Sequence, residues 1–340
     1  MKFEELAKSF VLKNLPESEV ELTGDVPADI VGGYKTAALG TIAGELDLPG
    51  FRKGHVPPDI ALKKVGEMNV LEEAVELFVR DFYPELIEVH NIDAVGRPDI
   101  RITKLVPNAP VSLTVRAAVY PEVSLPKDRK SIHEKIPLEP AKEAADEEVD
   151  KTIEELRQSR KQGDAVPELN DEFAKSLGAF KSLEALKTQI KKGIGEEKIR
   201  AAKDARRGKI IDALLEKTSI AVPKIFVESE LDKIVSQMRE DVARFGMSYE
   251  DYLKRMNKTE EDIRGEFRDQ AAKRAKLQLT LNKIAQAEGI EAESELVDAE
   301  MKHALEHFKD ANQTLLRIHI ETLLRNEKVL QLLEGDEKKE

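Results

Sequence analysis

An α+β N-terminal domain followed by an all-helical remainder is the fold class this sequence predicts, and three observations predict it. Apolar and polar residues alternate at Glu19–Leu22, Asp99–Thr103 and Val111–Val115, the period of half-buried strands. Between them, Leu71, Val75, Phe78, Val79, Phe82 and Leu86 recur at spacings of three and four, the signature of an amphipathic helix. From Ala141 onward the pattern is helical, with breaks at Gly163–Pro167, Gly178, Pro223, Gly246 and Gly289.

Taken in order, Glu19-Val-Glu-Leu22 reads as a strand and Pro27-Ala-Asp29 opens a helical stretch, with Pro27 near the first turn where a missing N–H is harmless. That stretch is weakened by Gly32, Gly33, Gly40 and Gly44, each costing up to about 1 kcal/mol relative to alanine. Pro57-Pro58 starts a short helix, and Pro107-Asn-Ala-Pro110 turns the chain between the last two strands. Pro121 to Pro140 is rich in proline and charge and reads as an extended linker or edge segment. Within the helical remainder, Ser248–Asp251 and Thr259–Asp262 pair a hydroxyl with an acid three residues on, which caps orphan amides. Gly193 and Gly195 mark a weak point, and no fixed repeat period appears.

The chain has 340 residues, enough for two or three domains. Charged residues reach 35% against 5% aromatic, which suggests long helices with much solvated surface. Cysteine is absent, which removes disulfides, thiolate zinc sites and cysteine nucleophiles and fits a reducing compartment. The start Met1-Lys-Phe-Glu-Glu5 lacks the basic, apolar character of a signal peptide, and no apolar run approaches the roughly 20 residues of a membrane span. A cytoplasmic location, with no membrane partner, is the expectation. A net charge of −12 argues against general affinity for nucleic acid, though not against a local basic contact.

No nucleotide or cofactor motif is present. His303-Ala-Leu-Glu306-His307 fits the H-x-x-E-H zinc pattern, but three fixed positions on a Glu-rich helix arise easily by chance and no third ligand stands at ligand spacing. A solvated helix face is the simpler reading, and no metal is expected. His55, His90, His133 and His319 form no ligand spacing, and no nucleophile elbow is found. No catalytic residues are assigned.

Two stretches carry interaction chemistry. After Pro223, one helical side offers Leu231, Ile234, Val235, Met238, Val242 and Phe245, followed by Met247 and Met256. The last helix offers Leu315, Leu316, Ile318, Leu323, Leu324, Leu330 and Leu332. Most such positions are ordinary helix-to-helix core. The alternative is a groove for apolar segments, where methionine adapts to varied shapes. The second stretch is Leu48-Pro-Gly50-Phe51-Arg52-Lys53-Gly54-His55-Val-Pro57, in which glycines that permit positive φ bracket an aromatic and two cations. Phe and Arg displayed at a tip are interface anchors, so a docking loop is favoured over a structural turn.

Gly50, Phe51, Arg52, Gly54 and Pro57 resemble the G-F-R-x-G-x-x-P signature of the trigger factor family of bacterial chaperones. Val119–Val123, Pro167–Gly178, Ile220–Pro223 with Glu228–Leu231, and Gln270–Arg274 are also similar to that family, so the resemblance covers nearly the whole chain. It implies an α+β ribosome-binding domain over residues 1–120, an extended linker and linker helix over 121–162, and an elongated all-α substrate-binding domain with helical arms over 163–340. Glu154–Pro167 joins the linker helix directly to the next domain, leaving no room for the isomerase domain usual in the family. The implied activity is therefore non-catalytic: ATP-independent binding of nascent or unfolded polypeptides at the ribosomal exit tunnel, with no cofactor and a weak homodimer allowed. Gly50, Phe51, Arg52, Lys53 and Gly54 would bind the ribosome, at protein and RNA of the tunnel rim. Met238, Val242, Phe245, Met247 and Met256 would bind substrate. The helix before the loop is less basic than in many relatives, with Asp29, Glu45 and Asp47, and His55 stands where lysine is common. More of the affinity would then fall on the tip itself. The alternative is a helical adaptor linking the ribosome or another large complex to a specific partner; a secreted chaperone of similar build would need the missing signal peptide.

Overall fold

A computed structural model of the chain describes residues 3–49, 51–52, 54–161 and 166–335. The described residues fall into two compact units that interleave along the sequence: 1–123 with 220–278, and 124–219 with 279–340. The last of the three boundaries, between Gln278 and Leu279, lies inside a continuous helix.

The first unit is built on an antiparallel sheet of β1 (Val11–Leu15), β2 (Glu19–Val26), β3 (Ala94–Lys104) and β4 (Val111–Val119), in spatial order β1-β2-β4-β3. Alternation places Val20, Leu22, Val26, Val111, Leu113, Val115 and Ala117 on the buried face. Polar pairs such as Glu21–Arg116 (2.6 Å) and Asp25–Ser112 (2.6 Å) hold the other face. Strand β1 is an edge whose residues are nearly all exposed, so it has no alternating pattern and is not foreseen from the sequence. Helices α1 (Phe3–Ala7), α2 (Ala28–Gly32), α3 (Lys35–Glu45), α4 (Pro58–Val65) and α5 (Glu67–Val89) accompany the sheet. The predicted amphipathic helix is α5, and its apolar stripe from Val70 to Leu86 is buried. Phe78 stacks on Phe82 at 5.0 Å and meets Phe3 and Tyr34 edge-on, so one aromatic cluster ties α1 and the α2–α3 junction to α5.

The glycine-weakened stretch after Pro27 does break, into α2 and α3 either side of Gly33-Tyr34. A long pair of helices completes this unit: α9 (Lys224–Arg244), then the short α10 (Tyr249–Met256), then α11 (Glu260–Glu288) returning antiparallel. The root of α9 is seated on the sheet. Ser18 Oγ donates to Ala221 O (2.9 Å), Lys224 pairs with Glu17 (3.1 Å), and Tyr120 meets Phe226 edge-on. At Gly96, φ is +75° and a Cβ would fall on Ile225 Cδ1. Glycine is needed there because the side chain of α9 occupies the space, beside an irregularity in β3 pairing between Val95 and Asp99.

In the second unit, α6 (Asp146–Ser159), α7 (Asp171–Leu177) and α8 (Leu183–Lys217) bury Val149, Ile153, Phe173, Ala174 and Leu186 together. Arg157 Nε donates to Pro167 O at 2.6 Å, pinning the end of α6 to the start of the α7 segment. Gly193 and Gly195 lie inside α8, which runs unbroken for 35 residues. One correction to the sequence reading arises here. The proline-rich segment is not wholly extended, since Arg129–Lys135 forms a 3-10 turn that buries Ile132. Arg129 and Lys130 of this turn both grip Glu288, each at 2.5 Å. The last helices, α12 (Ser294–His307) and α13 (Gln313–Glu334), share a core of Val297, Met301 and Ile320 with Leu316 and Leu324. Among the described residues no helix is long and apolar enough to cross a membrane.

Phe78→Ala removes a fully buried ring from the aromatic cluster, a change worth about 3–5 kcal/mol. Urea unfolding followed by tyrosine fluorescence is expected to show the first unit's transition at markedly lower denaturant.

Candidate functional sites: a docking tip and an apolar cleft

The tip between α3 and α4 is shaped by two successive tight turns, Phe51 N–H to Leu48 O (3.1 Å) and His55 N–H to Arg52 O (2.9 Å). Gly54 has φ +80°, and a Cβ there would stand 3.1 Å from the carbonyl oxygen of Gly44. The glycine that weakens α3 and the glycine that ends the tip thus meet across the base of the loop. Below them Ala43, Val56 and Ala61 form a small buried cluster with Leu39, Leu46 and Leu48. Burial of Val56 alone contributes about 1.5–3 kcal/mol to holding this base closed. Lys35–Glu67 (3.2 Å) and Tyr34 Oη donating to Asp81 (3.2 Å) fasten the hairpin to α5. Phe51 and Arg52 remain exposed at the end of this support, Phe51 by 38%. Gly50 and Lys53 lie outside the described residues.

The second site lies between α9, α10 and α11. Near their root the long helices pack closely, with Val227, Leu231 and Ile234 against Ala271 and Ala275. Arg264 bridges Glu228 and Asp232 (both 2.7 Å), Arg268 adds a bond to Glu228 (2.8 Å), and Arg239 reaches Glu260 (2.5 Å). Residue numbers rise on α9 as they fall on α11, which gives the antiparallel sense. Beside this packed seam lies a cleft of ≈ 510 Å³. Its walls are Ile234, Met238 and Val242 of α9, Phe245 and Met247 of the turn that follows, Tyr252 of α10 and Phe267 of α11, with Gln237, Asp241, Gln270 and Arg274 among them.

The turn into α10 uses Gly246 (φ +74°), and the turn out uses Asn257 (φ +51°). Both predicted caps form: Ser248 Oγ accepts from Asp251 N–H, and Thr259 Oγ1 accepts from Asp262 N–H (each 3.1 Å). Arg239 lies 5.0 Å over the Tyr249 ring, which stacks on Tyr252, so the α10 wall is held through a cation–π contact.

Of the residues predicted for substrate, Met238, Val242, Phe245 and Met247 line this one cleft, and Phe245 is 88% exposed. Met256 is exposed at the end of α10 but is not among the lining residues. Sequence reasoning did not single out Tyr252, Phe267, Gln270 or Arg274 as site residues. The periodicity of α9 shows its own stripe but not which residues of α11 face it. In the second unit, Leu315, Ile318 and Leu323 of α13 stand exposed while Leu316 and Leu324 are packed, so this helix shows both of the alternatives considered. The rings of His303 and His307 meet edge to face at 5.1 Å on an exposed helix face. Among the described residues no group of three or more His, Cys, Asp or Glu side chains could hold a metal ion.

A small α+β body with a displayed tip, and long helices that border an apolar cleft, define the scaffold of a binding protein. Comparison with known proteins agrees. The family model for the bacterial trigger factor protein matches residues 8–156, and the model for its C-terminus matches 182–335. The chain belongs to the trigger factor family. No isomerase family model matches. A trigger factor from Halothermothrix orenii is 27% identical over 389 positions, covering 88% of this chain and 90% of the relative. That alignment is longer than the 340-residue chain, so the relative carries segments with no counterpart here. Trigger factors from Shouchella clausii (23% identical, 83% and 85% covered) and Staphylococcus epidermidis (24%, 94% and 96%) are similar in extent. A solved structure of the trigger factor chaperone, described for promiscuous substrate recognition in folding and assembly, shares the fold. Its TM-score is 0.54 at 19% identity, over 96% of this chain and 99% of its own.

Hydrogen bonds from Arg264 and then Arg268 hold the Glu228 carboxyl below the usual carboxylate range, against the opposing effect of partial burial. A depressed folded-state pKa gives stability that is present above the unfolded value of about 4.3 and lost as pH falls through the folded one. Glu228→Gln should therefore lower the thermal midpoint at neutral pH, with the gap to wild type closing as pH falls through the lowered folded-state value. Calorimetry across that range measures it.

Proposed function

We propose that this chain is an ATP-independent, ribosome-associated chaperone that holds nascent or unfolded polypeptides in its apolar clefts and delays their misfolding. The observation that carries this reading is the cleft at the end of the α9–α11 seam. Its lining is mostly apolar, with Ile234 and Val242 buried at the base, Met238, Met247, Tyr252 and Phe267 partly open, and Phe245 almost wholly in solvent. Contiguous apolar surface of this kind marks a site for other chains, and the charge of −12 keeps a molecule that displays it from associating with itself. Family membership supports the ribosomal association.

In this reading Gly50, Phe51, Arg52, Lys53 and Gly54 dock residues 1–120 on protein and RNA at the exit-tunnel rim, while 121–162 act as linker. Residues 163–340 supply the substrate surface, with Met238, Val242, Phe245, Met247 and Met256 in contact with clients. The reading takes the chain as non-catalytic, and what supports this is that only residues 157–181 lie between the two family matches. It works in the cytoplasm, without a cofactor, and a weak homodimer is compatible with it.

A two-arm experiment tests the assignment. Phe51→Ala, Arg52→Ala and Lys53→Ala combined should abolish co-sedimentation with translating ribosomes yet leave suppression of aggregation of an unfolded client intact. Val242→Glu with Phe245→Glu should do the reverse. A wild-type protein that never slows aggregation sinks the chaperone reading and favours the adaptor. Equal ribosome binding by wild type and the tip variant removes the role of the tip.

A further inference from the structure

The cleft has an uneven electrostatic rim, and this bears on which segments it prefers. On the α9 side, Asp241 is already compensated. Its Oδ1 accepts from Gln237 Nε2 at 3.0 Å and lies 3.6 Å from Arg244. On the α11 side, Gln270 and Arg274 stand one turn apart, exposed and lining the same cleft. Other cations of α11 are engaged: Arg264 and Arg268 hold Glu228, and Lys273 and Lys276 also have interactions. Among the described residues Arg274 makes no ion pair or hydrogen bond. No carboxylate occupies the positions three or four residues away on its helix, which are Gln270, Ala271, Leu277 and Gln278.

We infer that Arg274 is a specificity-determining group of this cleft, favouring extended segments in which a bulky apolar residue is flanked by an acidic side chain. The inference rests on the cleft reading above. The apolar walls cannot distinguish one flanking charge from another. Arg274 can, because its planar fork is free to pair with a carboxylate in two-point geometry. Gln270, one turn earlier, offers both a donor and an acceptor to the main chain beside that contact. A basic flank would instead meet an uncompensated cation on one side and an acid already satisfied on the other. The effect is a bias and not a gate. Exposed ion pairs of this kind change a Kd by about two- to fivefold, and salt weakens them further. A cleft that tunes affinity so gently still accepts varied clients.

The test uses the full chain and three dye-labelled peptides with one shared Leu-Phe core, flanked by Glu, by Gln or by Lys. Fluorescence anisotropy at low salt gives the dissociation constants for wild type, Arg274→Gln, Arg274→Glu and the control Lys13→Gln, which removes a charge outside the cleft lining. Wild type and control should bind the Glu-flanked peptide about two- to fivefold more tightly than the Gln-flanked one. Arg274→Gln should erase that difference and Arg274→Glu should invert it, with the Gln-flanked peptide bound alike by all four. Equal binding of the three peptides by wild type overturns the inference alone, as does a preference that survives in Arg274→Glu or vanishes in the control. Failure of wild type to bind any of the peptides overturns the cleft reading, and the inference falls with it.

Discussion

Two helices that meet along a single seam can bury only part of their apolar rows, and the cleft proposed to hold clients depends on that constraint. Close packing needs small residues on one side, and α11 supplies them at Ala271 and Ala275 opposite Leu231 and Ile234. Phe267 packs against the edge of this cluster, while α9 continues its stripe through Met238 and Val242 to Phe245, with Gln270 and Arg274 of α11 alongside. The seam therefore opens into a cleft whose walls stay apolar because each belongs to a stripe that is core further along. Ion pairs add to the fastening along the seam. Arg264 and Arg268 clamp Glu228 and Asp232 where the helices touch, and Arg239 joins Glu260 near the open end.

The docking tip is a smaller case of the same economy. A phenylalanine and an arginine can be left in solvent only if their backbone is held elsewhere. Val56, Ala43 and Ala61 do so from below, and Gly54 lets the chain close against Gly44. Gly40 and Gly44, the two glycines that make α3 a poor helix, are therefore not simply a weakness. One of them stands under the tip and gives its carbonyl to the base of the loop.

What the sequence made legible followed physical period and punctuation. The stripe of α5, the β3–β4 pair, the helix breaks at Pro223, Gly246 and Gly289, and the caps at Ser248 and Thr259 each have a local cause, and each stands in the structure. Strand β1 was hidden because an exposed edge strand has no alternation. Gly193 and Gly195 leave α8 unbroken because a 35-residue helix with Leu186, Ile210, Leu214 and Leu215 buried toward its two ends can absorb their local cost. The cleft was half legible. Periodicity brought Met238, Val242, Phe245 and Met247 to one face, but Phe267, Gln270 and Arg274 lie on a different helix. Their approach depends on the reversal through α10, a tertiary fact that no window of sequence contains. The grouping of residues 220–278 with 1–123 is of the same kind. It hangs on contacts such as Tyr120–Phe226 and Gly96–Ile225 between segments distant in the chain.

The central claim is that one molecule holds the ribosome at its tip and a client in its cleft. The absence of native cysteine makes it directly testable. Phe51→Cys and Phe245→Cys, each labelled with a short photo-crosslinker, can be illuminated on ribosomes stalled with a radiolabelled nascent chain. The account predicts that position 51 crosslinks to ribosomal components and position 245 to the nascent chain. Crosslinks from position 245 that are confined to the ribosome, or from position 51 that are confined to the nascent chain, would contradict it.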